Sequence, residues 1–225
     1  ENGNLKNNFI SSIVFDAYDN LWIGTLKGIN KYRIRTSIFE YNEVLAPNKI
    51  DNDIANSLLF HSPNNILVGM ISGLYTHNPK TKKSTKIHTG ITNIKHISLN
   101  YEKNKLLIAS GNNLYESDLY EAKKNSFKLS KLKTFKREIT DIAVINKNET
   151  WVGLWNGGVD IINIKNEISK FKKEVIQKLS MSHTSVFLLT EDQNLWIGTR
   201  GEGLFKVDLN NETIQDFIPS KENGL

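Results

Sequence analysis

Five side chains of this sequence have the chemistry of a polar binding site: Lys27, Trp155, Asn156, His183 and Arg200. An exposed tryptophan can stack on the face of a sugar ring, and an arginine can form two parallel hydrogen bonds with a carboxylate or sulfate. A surface tryptophan can equally cover the edge of a sheet, and a histidine in a loop is often only solvated. The choice depends on the elements that position these residues.

The sequence carries no recognisable motif for catalysis or metal binding. It has no cysteine, which excludes disulfides, thiol catalysis and thiolate metal sites. No pair of histidines has zinc-like spacing with a third ligand, and nucleophile-elbow, phosphate-loop and helical zinc-protease motifs are absent. Paired carboxylates such as Glu191 and Asp192 fall in turns. We therefore expect this segment to have no catalytic residues, no metal site and no cofactor.

The candidate residues are set among copies of one repeated phrase. The segment Asn20–Thr25 reads NLWIGT and returns unchanged at Asn194–Thr199, with degenerate copies between them. Its glycine position falls at 24, 69, 109, 153 and 198, so the steps are 45, 40, 44 and 45 residues. A second anchor follows at Gly28, Gly73, Asn113, Gly158 and Gly203. Asn113 is expected to adopt the left-handed conformation that glycine supplies in the other copies.

Each copy has the pattern of one propeller blade. In the first copy, four apolar or alternating stretches are separated by turn residues, at 9–15, 21–25, 29–34 and 37–41. Four antiparallel strands in a unit of this length are typical of a β-propeller. We predict an all-β fold with five four-stranded antiparallel blades, at about residues 1–46, 47–90, 91–134, 135–177 and 178–225. The last strand of the fourth blade is predicted at 168–171.

The two ends of the chain are at the same phase of the repeat. The final residues, Ser220–Leu225, restart the phrase that opens the chain at Glu1–Leu5. Either a ring of five blades closes on itself or the five units belong to a longer array. Since an incomplete ring exposes strand edges, and no terminal strand is available to complete the first blade, we favour the longer array.

The repeat separates residues of the scaffold from residues of the loops. Trp22, Trp151 and Trp196 hold one position, which leucine takes in the other two copies. This exchange predicts an apolar contact between neighbouring blades, and the anchor glycines predict a close approach of the backbone within the strand. Trp155 lies outside this position. The loops between second and third strands, and those leading into each blade, open on one face, so all five candidate residues are predicted at one axial end.

Composition narrows the range of partners. The net charge is +5 and the pI is about 9.2, which indicates a lysine-rich solvated surface or attraction to an anionic partner. The lysine clusters are not interleaved with aromatic residues, so we expect no nucleic-acid binding. No run of 18 apolar residues is present, so we expect no direct membrane insertion by this segment.

The phrase at Thr190–Thr199, followed by Gly201–Phe205, resembles the two-component regulator propeller repeat. The resemblance covers the whole chain and is closest in the first, fourth and fifth copies. It implies the periplasmic sensor region of a hybrid two-component histidine kinase, which binds an oligosaccharide, acidic or neutral, or another small molecule and relays this to the kinase. It also implies that a homodimer could form through the full-length receptor. Two alternatives stay open: a protein-interaction platform, and a propeller glycosidase or lyase with carboxylates converging on the axis.

Overall fold

The computed structural model describes residues 9–33, 38–42, 53–87, 89–119, 128–165 and 167–217. Blade one consists of β1 (Ile10–Phe15), β2 (Asn20–Thr25), β3 (Gly28–Arg33) and β4 (Ile38–Asn42). Blade two consists of β5 (Ala55–Ser62), β6 (Asn65–Met70), β7 (Gly73–Asn78) and β8 (Lys83–Ile87). Blade three consists of β9 (Ile94–Leu99), β10 (Lys105–Ser110), β11 (Asn113–Asp118) and β12 (Ser130–Thr134).

Blade four consists of β13 (Ile139–Asn146), β14 (Glu149–Leu154) and β15 (Gly158–Asn163), followed by helix α1 (Lys170–Lys178). Blade five consists of β16 (Thr184–Leu189), β17 (Asn194–Thr199), β18 (Leu204–Asp208) and β19 (Thr213–Phe217). Strands pair in chain order within each sheet, and all pairs are antiparallel. The first strand of each blade is innermost and lines a central cavity. The chain is therefore an all-β propeller with five blades, as predicted.

Blade four departs from the predicted four strands. The stretch predicted as its outer strand, 168–171, leads into helix α1 instead, and the sheet has three strands within the described residues. The Ser169 side chain caps the helix by accepting a hydrogen bond from the backbone N–H of Lys172. Phe171, Val175 and Leu179 follow at helical spacing and pack against the core between blades four and five. The helix thus covers the apolar surface that an outer strand would cover.

The repeated tryptophan position lies between neighbouring blades, as predicted. Trp22 is fully buried among residues of blade two, and Trp151 is fully buried among residues of blade five. Leu67 and Leu107 occupy the same position in cores that join the next pairs of blades. Trp196 differs because it is only partly buried and stacks on Phe217 of its own blade, with ring centroids 5.6 Å apart.

The anchor glycines permit close approach, but at Gly24, Gly69 and Gly153 the approach is to the next blade and not within the strand as predicted; at Gly198 the nearest atom belongs to Val186 of the same blade. A Cβ atom at Gly24 would lie 2.6 Å from the Ala55 carbonyl oxygen of blade two, and one at Gly153 would lie 2.7 Å from Thr184 Cγ2 of blade five. Both distances are shorter than a normal van der Waals contact. A larger residue at these positions would push the neighbouring blades apart.

Backbone hydrogen bonds join the second-to-third-strand turns of blades two, three and four to the loops that lead into the next blade. The backbone N–H of Asn93 donates to Ile71 O at 2.6 Å, and that of Ile139 donates to Gly111 O at 2.8 Å. Between blades four and five, the N–H of Gly158 donates to Ser182 O at 2.8 Å. These joints fix one axial end of the propeller, which we call the turn face.

Innermost strands pack side by side through the series β1, β5, β9, β13 and β16. Within the described residues, no comparable packing joins β16 to β1. The end phrases that led us to favour a longer array lie outside the described residues, so that interpretation stays a prediction. In the part of the chain described, no helix is long and apolar enough to cross a membrane.

Candidate functional site

Trp155 lies on the turn face, in the turn between β14 and β15. Its backbone N–H donates to Glu138 O at 2.9 Å, and the next residue, Asn156, takes the left-handed conformation with φ 47°. This geometry leads the chain tightly from β14 into β15 and turns the indole away from the blade core. The Trp155 side chain is 45% exposed, whereas Trp151 on the preceding strand is fully buried.

The structure brings three of the five predicted residues into contact, and we call them the Trp155 cluster. The rings of Trp155 and His183 have centroids 3.7 Å apart at an interplanar angle of 56°. The Arg200 guanidinium carbon lies 5.8 Å from the centroid of the Trp155 ring, within the range of a cation–π contact. The Arg200 backbone N–H donates to His183 O at 2.9 Å. The cluster therefore joins blades four and five.

His183 is nearly buried beneath the exposed indole. Burial lowers the pKa of its imidazole, and the positive charge of Arg200 lowers the pKa further, while the carboxylate of Glu202 opposes this shift. The ring is therefore neutral near neutral pH, and the cluster's positive charge is on Arg200. An aromatic surface beside one guanidinium is suited to a ligand with an apolar ring face and an anionic group.

The other two predicted residues are placed differently. Asn156 is exposed directly after Trp155, so it borders the cluster. Lys27 is exposed in the β2–β3 turn of blade one, where its backbone N–H donates to Thr25 Oγ1 at 3.2 Å. Lys27 thus belongs to the same set of turns, and no contact between Lys27 and the cluster occurs within the described residues.

Sequence reasoning missed a ring of β-bulges around the axis. The innermost strand of every blade carries one extra residue near its start, which faces the central cavity of about 450 Å³. These residues are Ser11, Asn56, Lys95, Thr140 and Ser185. The signal was available, because a residue that interrupts the apolar strand stands 13 or 14 positions before each anchor glycine or alanine. Bulges of this kind re-aim side chains at barrel rims and sites.

Asp141, which follows a bulge, ties three blades together at the axis. Its Oδ1 lies 2.7 Å from Nδ1 of His96 in blade three, and its Oδ2 accepts the backbone N–H of Phe187 in blade five at 2.6 Å. The cavity also connects with the Trp155 cluster through Glu138. The Glu138 carboxylate pairs with Lys95 of the cavity at 3.2 Å, and its carbonyl accepts from Trp155.

Within the described ranges, no three histidine, aspartate or glutamate side chains lie close enough together to bind a metal ion. The axial cavity contains the His96–Asp141 contact, and this contact joins blade three to blade four.

Comparison with known proteins agrees with the repeat and the fold. Residues 4–27 match the family model of the two component regulator propeller. The fold is similar to the extracellular domain described for the hybrid two component system BT4673 from B. thetaiotaomicron, with TM-score 0.70 and 18% identity over 97% of this chain. It is also similar to the corresponding domain of BT3049 from the same organism, with TM-score 0.67 and 18% identity over 94% of this chain.

The WD40 propeller domain of Doa1 shares the fold too, with TM-score 0.63 and 12% identity over 95% of this chain and 69% of that one. No curated protein matches the chain. The chain spans 29% and 30% of the lengths of the BT4673 and BT3049 domains. It is thus a five-bladed propeller that resembles the two component regulator propeller, with a direct match to that repeat at residues 4–27.

Proposed function

We propose that this propeller is the non-catalytic, ligand-sensing part of a two-component signalling receptor in the periplasm, which relays binding to a histidine kinase. The match at residues 4–27 and the fold of the two extracellular domains support this placement. Dimerisation through the full-length receptor belongs to the same proposal. The ligand we propose is an oligosaccharide that carries an acidic group.

The observation that carries the ligand proposal is the Trp155 cluster. Trp155 is 45% exposed and lies outside the repeated tryptophan position. Its indole packs against the ring of His183. A pyranose ring could stack on this surface while the Arg200 guanidinium, 5.8 Å from the ring centroid, pairs with a carboxylate or sulfate of the same sugar. A rigid aromatic platform loses little conformational entropy on binding.

Calorimetric titration with two oligosaccharides of equal length, one built from uronic acids and one neutral, tests the proposal. Arg200→Ala should weaken binding of the acidic ligand by about 1–3 kcal/mol, the range for a lost hydrogen bond to a charged group. Trp155→Ala should weaken the binding of both oligosaccharides, since both stack on the indole. Arg33→Ala is the matched control, since Arg33 ends β3 at the opposite axial end and its loss removes the same charge.

Two results would contradict the proposal. One is binding of the acidic oligosaccharide by both cluster variants with the parent affinity. The other is a parent chain that binds neither oligosaccharide although its circular dichroism shows the strand spectrum of the folded protein. Lys27→Ala and Asn156→Ala should have smaller effects than Arg200→Ala, because neither residue is held against the indole.

A further inference from the structure

The tryptophan position of the repeat has lost its indole in blade three. Trp22 fills the space between blades one and two, and Trp151 fills the space between blades four and five. Each indole N–H donates to a carboxylate, Trp22 to Asp16 at 3.0 Å and Trp151 to Glu149 at 2.8 Å. The corresponding residue of blade three is Leu107, two positions before the anchor alanine.

A cleft of about 410 Å³ opens between blades three and four at this position. Its apolar lining consists of Leu107, Leu114, Val144 and Ile162. Three large apolar side chains among its lining residues are exposed: Tyr101 (57%), Leu132 (45%) and Ile164 (72%). The cleft is formed by the turns that follow the innermost strands, at the axial end opposite the turn face. It is therefore separate from the Trp155 cluster.

The walls of this cleft correspond to the residues that surround Trp22. The Trp22 ring meets the edge of His77, with centroids 5.7 Å apart, and Phe60 packs against the same core. Strand pairing gives Ile162 the place of His77 and Val144 the place of Phe60. Both line the cleft. The positions on either side of the cleft are therefore those on either side of the indole in the first interface.

Leucine at this position does not by itself leave a space. Leu67 holds the position in blade two and is fully buried. There, Tyr115, Leu119 and Leu129 of blade three pack against the core between the blades. Within the described residues, blade four has no outer strand that covers the corresponding region from its side, and helix α1 packs toward blade five.

We propose that the cleft between blades three and four binds indole or a similar bicyclic aromatic molecule with a ring N–H, in the place of the missing tryptophan. Dry apolar cavities as small as about 150 Å³ take up benzene, so this volume admits a larger ring. The Glu116 carboxylate lines the cleft and holds the place of Lys31, which lies over the Trp22 ring. One Glu116 oxygen pairs with Lys105 at 3.0 Å, which offsets its charge beside the ring. The side-chain oxygen of Asn100, which lines the cleft and holds the place of Asp16, is the acceptor for the ring N–H.

Titration of the whole chain with indole, followed by calorimetry and by methyl NMR shifts, tests this site. We expect one molecule to bind and to shift the methyl signals of Leu107, Val144 and Ile162. Leu107→Trp should abolish binding, because its own ring fills the cleft, and should raise the melting temperature. 1-Methylindole should bind about tenfold more weakly than indole, the effect of losing one hydrogen bond.

Leu188→Trp is the matched control, because this 61% exposed residue of blade five adds an indole far from the cleft and should leave binding unchanged. If Leu107→Trp fails to fold, Leu132→Glu replaces it, since a charge at the rim should weaken indole binding several-fold. Equal binding by the parent and both cleft variants, methyl shifts elsewhere, or no binding by the parent at millimolar indole would overturn the proposal.

Discussion

Trp151 and Trp155 are four residues apart in blade four, yet their surroundings are opposite. Trp151 holds the repeated position, is fully buried, and donates its N–H to Glu149. Trp155 lies beyond the strand, is 45% exposed, and rests on His183. The same residue type therefore serves the scaffold at one position and offers a surface at the other. Position in the repeat, and not residue type, separates the two.

Trp151→Ala is the substitution that should break this comparison most severely. It removes a buried indole from the core between blades four and five and leaves Glu149, itself buried beside Lys172 at 2.6 Å, without its N–H donor. We expect a loss of about 3–5 kcal/mol in the free energy of unfolding, the range for large aromatic truncations. Urea denaturation at neutral pH measures this loss. A value below about 1 kcal/mol would show that the buried indole contributes little to the stability of the interface.

The histidine packed against the buried tryptophan of blade one should make stability depend on pH. His77, fully buried against Trp22, has its pKa lowered by burial to about 4. The unfolded chain binds this proton near pH 6.5, so the stability present above that pH is lost as the pH falls toward 4. The loss approaches about 3 kcal/mol, from roughly 1.4 kcal/mol per unit of pKa. Urea titrations at pH 7 and pH 4 measure the free energy of unfolding at each pH. The difference between the two values should be smaller in His77→Gln than in the parent, and an equal difference would contradict the prediction.

Trp155→Ala should have the smallest effect on stability of the three. Its exposed indole contributes little to the core, so the free energy of unfolding should change by about 0.5 kcal/mol or less. The same urea titration used for Trp151→Ala checks this directly. A loss comparable to that of Trp151→Ala would mean that Trp155 serves the scaffold, and the comparison between the two would fail.

The repeat made the architecture predictable, because anchors at fixed spacing place the second strand of each blade before any contact is known. The contact between Trp155, His183 and Arg200 was less accessible, since these residues lie in loops of successive blades and no repeated residue marks where the loops meet. The sequence did place them at one end of the axis. What it could not supply was that His183 would lie under the indole, a result of the path between Leu179 and β16.

Two predictions failed where a local signal was misread. Helix α1 was taken for a strand, although Ser169 before apolar residues at 171, 175 and 179 is the pattern of a capped amphipathic helix. Asn113 was expected in the left-handed conformation, and in blade three that conformation falls on Gly111, with φ 55°. In each case the prediction followed the other copies of the repeat and not the local residue pattern.

The hydrogen bonds of the turn face have a consequence for how such a chain can change its number of blades. Blades two, three and four each carry the carbonyl or N–H that the next blade meets, as Ile71 does for Asn93 and Gly111 for Ile139. These are main-chain groups, present whatever the side chains are. A gene segment that is duplicated or deleted in whole units therefore brings its own joints, and side chains at 155 or 107 can diverge afterwards without disturbing them.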